Sequence, residues 1–155
     1  MSARELCEAT VREFTASNEK IRSMVGSATI ICTQCDQANT RAYITSESEI
    51  VLCTNKLSTQ RQIKEALTHE SVHSYDFANN RCDFSTCEGL AYTEIRAAVH
   101  AECAGSYPFE WFREQCIKKV ATSATANMYP KNAAKECVVA MFEKAVSDSR
   151  VKDMP

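Results

Sequence analysis

The chain has 155 residues, 45% of them hydrophobic and 25% charged, which are values of an ordinary globular protein long enough to bury a real core. Its 18 basic and 20 acidic residues leave a net charge of −2, which argues against general nucleic-acid binding. No apolar run approaches the roughly 18 residues of a membrane-spanning helix, and the opening Met-Ser-Ala-Arg-Glu-Leu-Cys reads neither as a secretory signal nor as a basic presequence. By length, residues 1–155 are expected to form a single domain.

From Ala3 to Met24, residues Leu6, Thr10, Phe14, Ile21 and Met24 recur at helical spacing, which predicts one amphipathic helix stopped by Gly26. Thr29 to Cys32, Arg41 to Thr45 and Ile50 to Cys53 read as strands. Asp36 to Thr40 is a turn, and Ser46, Glu47, Ser48 and Glu49 form a polar connection. A sheet of about three strands follows, partly antiparallel because the connections are short for parallel crossovers. Ser58 is the expected N-cap of a helix running to Ala78, with Asn79-Asn80 as its exit.

Arg81 to Gly89 is an irregular connection, and Leu90 to Cys103 a second helix. Gly105 and Pro108 then break the chain. Phe109 to Thr125 and Lys131 to Val146 read as helices, with Pro130 near the start of the last, and Ser147 to Pro155 as a polar tail. The class is α+β.

The 9 cysteines suit either disulfides in an oxidising compartment or a structural zinc. Only Cys32-x-x-Cys35 has zinc-knuckle spacing and no second such pair follows, so disulfides are the favoured reading. An odd count leaves at least one thiol free or shared with a partner.

The densest chemical signal is His69-Glu70-Ser71-Val72-His73, an HExxH sequence inside the predicted helix. Histidines four apart on a helix share a face and can both reach one Zn²⁺ at about 2.0–2.1 Å. Glu70 is rotated roughly 100° from His69; it borders the metal and is placed to act as general base on the attacking water and as acid toward a leaving amine. A surface helix that merely carries two histidines and a glutamate is the bland alternative. The uncharged neighbours Ala66, Leu67 and Thr68 speak for a buried helix with one polar stripe instead.

A third protein ligand is needed. Glu94 follows His73 at close to the roughly 20-residue separation of zinc peptidases with two histidines and one glutamate, such as thermolysin. It lies among Ala91, Ala97, Ala98 and Ala101, small residues that allow close helix approach, although alanines are also simply good helix formers. Asp76 and His100 are the other candidates for this ligand. Asp76 is read as orienting a ligating histidine from behind, and Arg96 as pairing with Asp76 or Asp83. Tyr75, Tyr92, Arg96 and His100 are the candidate oxyanion donors, each more often structural than catalytic.

These residues resemble one family. Cys32-x-x-Cys35, Val51-Leu52-Cys53-Thr54-Asn55, Leu67-Thr68-His69-Glu70-x-x-His73-Ser74-Tyr75-Asp76 and Thr93-Glu94-Ile95-Arg96-Ala97-Ala98 occur in the order seen in the mitochondrial intermembrane-space metalloproteases that mature ATP synthase subunit a. Gln115-Cys116 and Cys137 also fit, so the match spans Ile30 to Phe142.

The resemblance implies a zincin-like metallopeptidase of the intermembrane space, peripheral to the inner membrane. It would cleave the subunit a precursor and assist ATP synthase assembly, with import by oxidative folding. The chain departs from the family pattern at Ala78 and Tyr92, where cysteines are usual, and at Gly89, where a histidine is usual. Arg41-Ala42-Tyr43 replaces a Gly-Gly-aromatic element. Two rival readings are a non-catalytic assembly factor with a zinc-braced core and a DNA-associated HExxH protease; the acidic balance disfavours the second.

Overall fold

The computed structural model describes residues 1–46 and 48–150, so Glu47 of the polar connection and the end of the tail lie outside the described residues. The protein is α+β, with six helices and a three-stranded mixed sheet among the described residues. The contacts group it into two compact units, one ending at Tyr75 and the other beginning at Asp76.

In the first unit the expected single N-terminal helix is two: α1 (Ala3–Ser17) and α2 (Glu19–Val25). Asn18 between them is extended at φ −128°, and its side chain accepts from the Ile21 amide at 3.1 Å. A short polar side chain that caps the next helix competes with continuing the last one. Arg22 Nη1 donates to the Thr15 and Ala16 carbonyls at 2.7 and 2.8 Å, satisfying carbonyls at the end of α1. Ser2 and Glu5 form a capping box at the start of α1, and Gly26, at φ +58°, ends α2 as expected.

The strands are β1 (Thr29–Thr33), β2 (Ala42–Ile44) and β3 (Glu49–Cys53), in the order β1-β3-β2. β2 pairs antiparallel with β3, with Tyr43 opposite Val51. β1 pairs parallel with β3, Ile30 to Ile50 and Cys32 to Leu52, although the connections looked short for a parallel pair. The reason is that β2 occupies the connection: the β2–β3 hairpin folds back so that β3 enters the sheet beside β1. Cys7–Cys32 staples α1 to β1, and Cys35–Cys53 closes the end of the sheet. Cys32 and Cys35 therefore serve two different disulfides.

The HExxH helix is α3 (Gln60–Ala78). Its start is capped one residue later than expected: Thr59 Oγ1 accepts from the Gln62 amide at 3.2 Å, while Gln62 Oε1 accepts from the Ser58 and Thr59 amides at 2.8 and 3.3 Å. Asn80, at φ +51°, ends it, and the Arg81 amide reaches back to the Asp76 carbonyl at 2.9 Å, a Schellman-type close.

The second unit is built on α4 (Cys87–His100), α5 (Glu110–Thr125) and α6 (Lys131–Ser149). Ala91, Ile95, Ala98, Ile117, Ala121 and Val138 fill its core. α6 continues through residues first read as a tail, because Val146 and Ser149 are buried there. Cys87–Cys137 joins α4 to α6, and Cys103–Cys116 ties the segment after α4 to α5. The start of α4 lies three residues before the expected Leu90, because the Thr86 hydroxyl caps it by accepting from the Gly89 amide at 3.0 Å.

Candidate metal centre

α3 turns Ile63, Ala66, Leu67 and Val72 inward, and the same burial carries Glu70, His73 and Asp76 with them. Burying a carboxylate and an imidazole on an otherwise apolar face is costly unless they have partners, so this is the part of the helix where chemistry outweighs packing. His73 is 6% exposed, Glu70 8%, and His69 half-buried. The two histidines meet through their Nε2 atoms, 3.1 Å apart, with ring centroids at 4.8 Å and planes at 78°. Two nitrogens on one tetrahedral metal at about 2.0–2.1 Å would be about 3.3 Å apart, so the helix already holds the pair near that spacing.

Glu94 on α4 is buried among Ala91, Ala97 and Ala98. His69, His73 and Glu94 each offer one ligand atom, and these atoms all lie within 4.8 Å of one another. Two imidazole nitrogens and a carboxylate oxygen are a donor set suited to a borderline metal such as zinc. His100, half-buried at the end of α4, is outside this group.

Asp76 is paired with Arg96, one of the two pairings the sequence suggested for that arginine. Its carboxylate is fully buried and is taken up by α4: Arg96 Nε lies 3.0 and 2.9 Å from Oδ1 and Oδ2, Arg96 Nη2 lies 2.9 Å from Oδ1, and Thr93 Oγ1 donates to Oδ2 at 2.9 Å. Asp76 therefore clamps the end of α3 to α4. Burial works to lower the Arg96 guanidinium, but the hydrogen bonds and charge of Asp76 hold it above its ordinary value. Thr93 was missed by sequence reasoning. Its spacing from Arg96, three apart on one helical face and flanking Glu94, was the available signal.

Of the four candidate oxyanion donors, two are engaged structurally. Arg96 holds Asp76, and Tyr92 is buried with its hydroxyl donating to Asp148 Oδ2 at 2.5 Å. Burial, followed by that hydrogen bond, raises the Tyr92 phenol above its usual range. Tyr75 and His100 are half-buried.

Residues 3–151 match the model of the peptidase M76 family. The chain belongs to the peptidase M76 family. Among its M76 relatives is the mitochondrial inner membrane protease ATP23 of Debaryomyces hansenii, 30% identical over 144 residues, which are 85% of this chain and 61% of that protein. The protein of the same name from Meyerozyma guilliermondii is also 30% identical, over 85% of this chain and 59% of its own length. The human mitochondrial inner membrane protease ATP23 homolog is 29% identical over 76% of this chain and 52% of its own. The chain thus spans about three-fifths or less of the length of these relatives. No solved structure matches it. Among the described residues, no helix of this M76 chain is long and apolar enough to cross a membrane.

Two of the positions where this M76 chain departs from the expected pattern, Gly89 and Tyr92, have structural uses. A Cβ on Gly89 would stand 1.8 Å from the Asp83 carbonyl oxygen, so the turn before α4 admits only glycine there. Tyr92 fills its place through Asp148, and Ala78 is exposed at the end of α3. Four disulfides form, and Cys82 is the free cysteine. Burial first, then the charge of Asp76, pushes its thiol up to about 12.

Proposed function

We propose that this chain is a zinc-dependent endopeptidase of a zincin-like type, with His69, His73 and Glu94 as metal ligands and Glu70 as general base. The observation that carries this reading is the convergence of two imidazole nitrogens and one carboxylate oxygen within 4.8 Å, next to a buried glutamate. Three protein ligands leave a further position open, as catalytic zinc sites do. Bound zinc would supply Lewis acidity toward a peptide carbonyl. The chain's own residues do the rest. Glu70 takes a proton from the attacking water onto a carboxylate oxygen and returns it to the leaving amine nitrogen. The burial of Glu70 and His73 limits water around that proton transfer. The Asp76–Arg96–Thr93 clamp is a positioning device: its two α4 members flank Glu94 and fix that stretch of α4 on the Asp76 carboxylate.

The relatives' names support a protein substrate and a place at the mitochondrial inner membrane. We assign the chain to the intermembrane space, peripheral to that membrane, acting on the ATP synthase subunit a precursor and assisting ATP synthase assembly, with no nucleic-acid partner. Four disulfides suit an oxidising compartment.

The test is elemental analysis beside cleavage. Wild-type protein should hold about one zinc and His69→Ala about none, following one-site geometry. Glu70→Gln should keep its zinc and lose at least about 10²-fold in cleavage of the precursor leader. Equal zinc in wild type and His69→Ala, or undiminished turnover in Glu70→Gln, refutes the assignment.

A further inference from the structure

The second unit carries a surface that the peptidase chemistry does not use. α5 begins beside three exposed aromatic residues, Phe109 at 69%, Trp111 at 60% and Phe112 at 46% exposure. They form one cluster: Trp111 and Phe112 centroids are 5.1 Å apart and Phe109 and Phe112 are 6.2 Å apart. Large rings left in water cost free energy, and they gather only where another phase or surface takes them up.

Farther along the same helix is a groove of about 610 Å³ between α5 and α6, lined by Lys118 and Lys119 from one helix and Lys131 and Lys135 from the other. Among the described residues no acidic side chain lines it, in a chain whose net charge is −2. Helical spacing connects the two features. Steps of four and three lead from Trp111 through Gln115 to Lys118 and Thr122, so aromatics and lysines share the outward stripe of α5. Of the acids of this helix, Glu110 lies off that stripe and is paired with Arg150 at 2.6 Å, while half-buried Glu114 borders it, three residues after Trp111 and four before Lys118. An apolar aromatic end followed by a cationic stretch is the pattern of a segment lying in a lipid interface, rings among the upper acyl chains and ammonium groups at the phosphates.

We propose that the α5–α6 face docks on an anionic lipid bilayer, with Phe109, Trp111 and Phe112 entering the interface and the four lysines contacting headgroup phosphates. The occupant is a bilayer rather than an acidic polypeptide, because charge alone would serve a polypeptide whereas the exposed ring cluster needs an apolar phase. This deepens the peripheral placement given above by naming its surface, and rests on that reading only for which membrane is meant.

The molecule carries its own reporter, since Trp111 is its single tryptophan. With the disulfide-intact chain and phosphatidylcholine vesicles containing phosphatidylglycerol, Trp111 emission should shift to the blue and be quenched by brominated lipid. Raising the salt should weaken the binding. Lys119→Glu with Lys135→Glu, both at exposed positions, should lower partitioning by at least about tenfold. Phe112→Ala, which keeps the reporter, should weaken the binding that persists at high salt. Phosphatidylcholine alone and poly-glutamate should give little response, and Glu70→Gln protein should bind vesicles like wild type. Circular dichroism of each variant checks its fold.

Vesicle binding with no change at Trp111 overturns the proposal, as does binding indifferent to the lysine reversals. A response to poly-glutamate in place of vesicles overturns it in favour of an acidic protein partner. Failure of vesicle binding leaves zinc content and cleavage untouched, so the two readings fail separately.

Discussion

Replacing Asp76 by asparagine should be one of the most damaging single-atom-scale changes in the second unit. Both side chains of the Asp76–Arg96 pair are 0% exposed, and three nitrogen–oxygen approaches of 2.9–3.0 Å join them. The change removes the anion but not the cation, and a guanidinium cannot discharge itself. It also turns an amide NH₂ toward donors that need an acceptor. Breaking a buried pair by removing one partner costs about 3–5 kcal/mol, a large part of the usual 5–15 kcal/mol total. At roughly 2–4 °C per kcal/mol for a chain of this size, Tm should fall by about 6–20 °C.

Urea unfolding without reductant, followed by circular dichroism, measures it. The double change Asp76→Leu with Arg96→Met removes both charges and should recover all but about 1–2 kcal/mol. The folded pKa of Arg96 is raised above its ordinary value, so its contribution is fully present below that ordinary value and lost only as pH rises through the folded one. On the arginine side the penalty should therefore be flat between about pH 6 and 9. A loss under about 1 kcal/mol, or a double variant no better than the single one, would falsify the clamp.

At fixed pH, Asp76→Asn, a positioning change, should weaken zinc binding by no more than about 10–100-fold, and Glu94→Gln, which alters a ligand, should weaken it by clearly more; the reverse order removes Glu94 as a ligand. Cys82 should alkylate at pH 8 at least about 10²-fold more slowly than an ordinary thiol, because burial keeps it protonated. Its raised pKa also means that its contribution to stability is intact below pH 9.0 and is lost as pH rises through about 12; Cys82→Ser should blunt that alkaline loss. Among the disulfides of the second unit, Cys87–Cys137 closes a separation of 50 residues and Cys103–Cys116 one of 13. Removing the first by serine pairs should cost about 4 kcal/mol and the second about 3 kcal/mol in the chain-entropy picture. Equal midpoints in urea for the two serine pairs would contradict that ordering.

The local features of this protein were written in its residues. HExxH spacing puts His69 and His73 on one face whatever the fold, because four residues make about one helical turn. Gly26 as a helix stop, Pro130 at the head of the last helix and an odd cysteine left over follow from equally local rules. Features that depend on a partner distant in sequence were not legible. Asn18 splits the first helix through a cap that the hydrophobic period does not register. The parallel pairing of β1 with β3 needs the β2–β3 hairpin to be placed first. Which cysteines join depends on distances that spacing does not encode. At Asp76 the sequence offered Arg96 as a partner without deciding between Asp76 and Asp83 and gave no sign of Thr93; only the approach of α4 brought both donors to it, and a buried carboxylate is held by whichever donors the packing delivers.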